Sequence, residues 1–152
     1  MAIQFVPGQV AVGDPYPGGP SVLSGPAKDL QVKVVKLSSA NFGLSAVNTL
    51  VAALPADATI LEMFVWVKTQ LAGGGVTAAT INIGTSSGGT QFASAFSAFG
   101  TAGAYSQVTP ITNIMQPYQV PQGSDIQVFV GGTATTGAPT SGELYLTIKY
   151  VR

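Results

Sequence analysis

Cysteine and histidine are both missing from this chain of 152 residues. Without cysteine there is no disulfide framework, no zinc knuckle and no thiol nucleophile. Without histidine, the usual general base for a serine nucleophile is gone as well. Charge is almost as scarce. Six Lys plus Arg balance six Asp plus Glu, which together make 8% of the chain. Soluble domains typically carry about 25%. No acidic cluster offers the six oxygens that calcium wants. No basic face is present for nucleic acid: Lys28, Lys33 and Lys36 form the only local group, and strand alternation puts Lys33 and Lys36 on opposite sides. Long apolar runs are absent too. The longest, residues 44–67, is broken by Asn48, Pro55, Asp57 and Glu62, so no membrane-spanning helix is expected. No basic segment leads into an apolar one at the N-terminus, so no signal peptide is expected.

What remains is a neutral chain with positive mean hydropathy, 19 glycines and 10 prolines. Its hydrophobicity is too high for a disordered composition. One domain is the natural reading for this length, with enough chain to bury a core unaided. A free monomer with so little charge is poorly protected against association. The composition therefore points to a protein that hides part of its surface in an assembly.

Residues 1–29 stand apart, with five of the ten prolines in "PGQVAVGDPYPGGPSVLSGPAKD". Proline fixes φ and removes a ladder donor, so the stretch predicts an extended arm rather than a central strand or a helix. Such an arm cannot satisfy its own backbone through regular structure and is expected to be ordered by another chain.

From residue 30 the pattern is β. "LQVKVVKL" (30–37) reads as a strand with Val32 and Val34 on one face and a slip at Val35. "VTAATINIG" (76–84) alternates, with Ala79, Ile81 and Ile83 together. "SDIQVFVGG" (124–132) groups Ile126, Val128 and Val130. "GELYLTIKYV" (142–151) places Leu144, Leu146, Ile148 and Tyr150 on one side and Glu143, Tyr145, Thr147 and Lys149 on the other. Residues 104–121 predict two short strands with proline breaks. Phe92, Phe96 and Phe99 fall at i, i+4, i+7, with Thr90 to cap and Gly100 to stop, and predict one short helical turn. The expected fold is all-β: a jelly-roll-like antiparallel β-sandwich over residues 30–152, with one short helical turn and the N-terminal arm.

The stretch "ATILEMFVWVKTQ" (58–70) is apolar on both faces. Leu61, Met63, Val65 and Val67 form an aliphatic face expected to enter the core. Ile60, Phe64 and Trp66 load the other face between Glu62 and Lys68. Those two charges lie six residues apart, about 20 Å along a strand, and cannot pair with each other. An aromatic centre with polar ends is how protein interfaces are composed. Phe64, Trp66 and Ile60, with Pro7, Pro15, Tyr16 and Pro17 of the arm, are the predicted interface residues.

Catalytic motifs fare poorly. "GTSSG" (84–88) matches G-x-S-x-G, but Ser86 has no histidine to take its proton, and a Ser86–Lys68 pair has no supporting motif. Asp57 and Asp125 sit in turn-like "PADAT" and "PQGSD", where aspartates commonly bond their own backbone. Glu62 and Glu143 complete the carboxylates of the β region, and a glycosidase pair is disfavoured. The glycine runs lack the lysine and the spacing of a phosphate cradle. No enzyme activity, cofactor or metal is expected.

The order of features over about residues 50–152 resembles the jelly-roll capsid decoration, or cement, proteins of tailed bacteriophages. "LPADATILEMFVWVKT" resembles that family's proline, turn and long strand. "ATINIGTSSGGTQFASAF" resembles its strand, glycine turn and small helix. "VPQGSDIQVFV" followed by "GELYLTIKYV" resembles its closing hairpin. The resemblance implies a virion protein made in the host cytoplasm, bound to the major capsid protein on the outer capsid surface. It implies a homo-oligomer, most often a trimer, that clamps neighbouring capsomers, with no catalytic residues and no nucleic-acid or membrane partner. Tail, neck and head-fibre proteins share such patterns, and the arm has no clear counterpart there. A competing class is a lectin-like jelly roll that binds glycans, for which Tyr16, Tyr105 and Tyr118 are candidate residues.

Overall fold

A computed structural model describes residues 29–108, 118–119 (backbone) and 125–152. Ten strands are present among them: β1 (Leu30–Ser38), β2 (Phe42–Gly43), β3 (Val47–Leu54), β4 (Thr59–Ala72), β5 (Ala78–Gly84), β6 (Ala93–Ser97), β7 (Tyr105–Gln107), β8 (Tyr118–Gln119), β9 (Ile126–Thr135) and β10 (Ser141–Val151). One 3-10 turn, Ser39–Asn41, is the only helical element described.

The pairing follows one rule. The first strand pairs with the last, β1 with β10; the next long strand, β3, pairs with β9; β4 pairs with β7 and β8; and β5 pairs with β6. All these pairs are antiparallel, so the chain is one long ribbon folded at its middle. Two further pairings, β10 with β4 and β9 with β5, roll that ribbon into two sheets. The sheets run β1-β10-β4-β7 and β3-β9-β5-β6, with β8 also on β4 and β2 parallel to β9. With β7 and β8 counted as one interrupted strand along β4, two sheets made by rolling an eight-stranded ribbon are a jelly roll. The all-β sandwich expected from the sequence is what forms.

The core lies between the sheets. Leu144, Leu146 and Ile148 of β10 and Met63, Val65 and Val67 of β4 face Ile81 and Ile83 of β5 and Val128 and Val130 of β9. Each fully buried aliphatic side chain contributes about 1.5–3 kcal/mol. The period-2 assignments for β5, β9 and β10 hold because a ladder in fixed register keeps alternate residues on one face.

Two expectations fail, each because of pairing with another strand. Ile60, expected on the outer face, and Leu61, expected in the core, are reversed: Ile60 is 0% exposed and Leu61 38%. The ladder pairs Lys149 with Glu62 but Tyr150 with Ile60, so Leu61 is an extra residue on β4. A bulge of this kind shifts the alternation by one, and every residue before it changes face. Ile60 is therefore core and not interface. On β1, Val32 and Val34 share a face as expected, and it is the outward one: Leu37 is buried and Val35 packs on the core. The helix expected at Phe92–Phe99 is instead β6, an edge strand on β5. Phe92 N–H donates to Ile83 O and Ala98 N–H to Ala79 O, so open β5 groups capture the segment. A register shift with Ala95 at φ 50°, held by Asn82 Oδ1 on its N–H, produces the spacing that mimics a helix. β3 is a strand that the sequence reading did not identify.

A second irregularity, between Ser141 and Leu144, relies on Gly142. Its φ is +124°, and a Cβ there would lie 2.6 Å from Leu71 Cα. Glycine alone lets β10 pass this close to β4 in that conformation.

Candidate functional site

The outer face of the β1-β10-β4-β7 sheet gathers the molecule's unusual surface. Its rows follow from the register. Leu30 lies beside Val151; Val32 beside Lys149 and Glu62; Val34 beside Thr147, Phe64 and Gln107; Lys36 beside Tyr145, Trp66 and Tyr105. Large hydrophobic side chains exposed among the described residues number eight, and six of them belong to this sheet's outer side: Leu30, Val32, Val34, Leu61, Trp66 and Tyr105. The outer side of the other sheet presents Asn48, Leu50, Thr80, Asn82 and Thr133, with no charged side chain on its strands.

The centre of the face is four rings. Phe64 stacks on Tyr105 with centroids 4.9 Å apart, and Trp66 on Tyr145 at 5.5 Å. Both are cross-strand pairs, set by the register of β4 against β7 and β10. Lys149 Nζ sits 4.8 Å above the Phe64 ring, a cation–π contact. Stacking leaves Trp66 39% and Tyr105 59% exposed.

Charged groups rim the rings at both ends, as the spacing of Glu62 and Lys68 implied. Lys149 Nζ donates to Glu62 Oε1 at 2.6 Å. At the other end Glu143 accepts from Lys36 Nζ at 2.8 Å, Lys68 Nζ at 3.0 Å and the Tyr145 hydroxyl. The hydrogen bonds from Lys36, Tyr145 and Lys68, in that order, pull the Glu143 carboxyl down to about 2. Glu143 in turn raises Lys68, and Glu62 raises Lys149. Glu143, Lys68 and Lys149 are thereby held in their charged forms through the neutral range. Three lysines against two glutamates leave the rim positive.

Other candidates resolve into structure. "GTSSG" forms a turn: Gly89 N–H donates to Ser86 O, Thr85 N–H to Gln91 Oε1 and Gly88 N–H to Asn48 Oδ1. The turn leads into β6 and not into the helix that a nucleophile elbow requires. A Cβ at Gly84 would lie 2.3 Å from Gln91 Oε1, so close packing explains that glycine. Asp125 Oδ1 accepts the Ala56 N–H, which joins the residue that precedes β9 to the turn before β4 rather than to its own backbone. Asp57 occupies a left-handed turn position at φ 66°. Among the described residues no three acidic, histidine or cysteine side chains could hold a metal ion, and no helix is long and apolar enough to cross a membrane. A shallow cavity of about 280 Å³ lies at the sheet end between Asp29, Gln31, Pro55, Tyr150 and Arg152.

Of the predicted interface residues, Phe64 and Trp66 lie together on this face and Ile60 does not. Pro7, Pro15, Tyr16 and Pro17 fall outside the described residues. Sequence reasoning missed the aliphatic column of β1 and the partners of both stacked pairs. Tyr145 and Lys149 were visible on the polar side of β10, but which strand lies beside β10 is not a local property.

No protein-family model matches the chain, and no curated protein matches its sequence. The fold does have counterparts among solved structures. A chain in the capsid asymmetric unit of cyanophage Pam1 superposes with a TM-score of 0.59 at 20% identity, covering 85% of this chain and 91% of that one. A chain of the capsid of Ralstonia phage GP4 superposes with a TM-score of 0.54, also at 20% identity, covering 82% and 84%. At that identity the likeness is one of fold: this chain has an architecture also found in chains of phage capsid structures.

Proposed function

We propose that this protein is a structural component of a tailed-phage virion, and more narrowly a decoration protein that binds the major capsid protein on the outer shell. The observation that carries the reading is the outer face of the β1-β10-β4-β7 sheet, where a chain with little charge concentrates its exposed apolar side chains around stacked rings. A protein that worked alone would gain nothing from such a face and would risk aggregation. The phage-capsid setting of the two structural neighbours supports the same reading. In this role the jelly roll is a rigid block, and the face is where copies join the assembly as a homo-oligomer, a trimer in the form favoured here. The function needs affinity and stiffness and no chemistry, in keeping with Ser86 in a turn without a base.

The test is co-sedimentation of the purified protein with shells assembled from the cognate major capsid protein. Saturable binding, and greater resistance of decorated shells to heat, are expected. Shells that leave the protein in the supernatant at micromolar concentration would sink the decoration role.

A further inference from the structure

The reading of this face as an assembly surface leaves open what covers it, and the inference drawn here rests on that reading. At about 4.8 Å between strands and about 3.3 Å per residue, the patch from Leu30 to Lys36 and across to Tyr105 is about 300–400 Å². A stable interface buries about 800 Å² per partner. A second globular body seated only on this patch would fall short, whereas an extended segment needs no more. The open edge of β1 is a poor site for a new strand. Lys33 lies on the inward side of that edge strand, which is a usual guard against edge pairing.

The chain itself contains a segment with the complementary chemistry. Aromatic-lined surfaces take proline-rich segments, because an extended proline segment loses little entropy on docking and its rings pack flat on aromatic faces. Residues 14–20 read "DPYPGGP". Pro15, Tyr16 and Pro17 would meet the Trp66–Tyr145 and Phe64–Tyr105 pairs. Asp14, the one acidic residue before Asp29, would meet Lys36 and Lys68, the end of the rim where two lysines share one glutamate. The segment lies 9 to 15 positions before Asp29, a stretch that can span about 30–50 Å, enough to carry it beyond the edge of the patch. We infer that residues 14–20 of a neighbouring copy dock on the four-ring face, so that copies are joined by exchange of their N-terminal segments.

Trp66 is the sole tryptophan and lies in the patch, so its fluorescence reads the cover directly. The full chain is compared with its Pro15→Gly/Pro17→Gly variant, with no shells present. The variant is expected to show red-shifted Trp66 emission and faster acrylamide quenching, with unchanged far-UV circular dichroism. A synthetic peptide of residues 10–22 should restore the blue shift saturably in the variant, and a scrambled peptide should not. Dilution of the wild-type chain should produce the same red shift as copies separate. Identical Trp66 emission in both proteins, or no response to the peptide, overturns the docking. Cover that persists unchanged at every dilution assigns it to the chain's own segment and overturns the exchange. Shell binding is absent from these assays, so failure of the decoration role and failure of this contact are read separately.

Discussion

Replacing Trp66 by alanine should weaken assembly more than it weakens the fold. Trp66 is 39% exposed in the isolated subunit. A tryptophan can bury about 250 Å², so about 100 Å² is left for a partner to cover. At about 25 cal/mol per Å² that is about 2.5 kcal/mol, within the range of interface hot spots. Within the subunit, the substitution removes the stack on Tyr145, worth about 0.5–1.5 kcal/mol beyond area. Val65, the next residue, is 2% exposed and faces the core. Val65→Asp would bury a carboxylate without a partner and should prevent folding at ordinary temperature. Urea denaturation followed by circular dichroism gives the folding term, and sedimentation with shells gives the association term. Trp66→Ala should stay folded and bind about 50-fold or more weakly, as about 2.5 kcal/mol requires. If Trp66→Ala unfolds the subunit while Val65→Asp is tolerated, or if binding is unchanged, the assignment of faces is wrong.

The bulge on β4 gives a second contrast: Ile60→Ala should cost about 2–5 kcal/mol in urea denaturation and Leu61→Ala less than about 1, although a regular strand would predict the opposite. Glu143 titrates lower in the folded chain than in the unfolded one. Its contribution is therefore complete above about pH 4.5 and is lost as pH falls toward about 2. Glu143→Gln should accordingly show a shallower loss of stability than wild type across that window, measured as urea midpoint against pH. Ser86 should resist a serine-directed phosphonate, since the chain has no histidine to activate it. Labelling lost in Ser86→Ala would contradict that.

Alternation in "GELYLTIKYV" told which side chains of β10 are buried, because a strand's period of two is local. The same held for β5 and β9, and the turn role of the "GTSSG" glycines was legible from residue type, whereas Asp125, expected to bond its own turn, accepts instead from Ala56 across the fold. Pairing was not legible. Nothing within residues 58–70 says that Tyr150 sits opposite Ile60, and that one contact makes Leu61 an extra residue and exchanges two faces. The helical spacing of Phe92, Phe96 and Phe99 gave way to the open edge of β5, a tertiary feature whose paired residues lie 10 to 17 positions away in sequence. The candidate site divides the same way. Phe64 and Trp66 could be named from their own strand. Tyr105, Tyr145 and the column of Leu30, Val32 and Val34 join them only because β1, β10, β4 and β7 become neighbours when the ribbon rolls, and long-range hydrogen bonding, not local sequence, selects which strands meet.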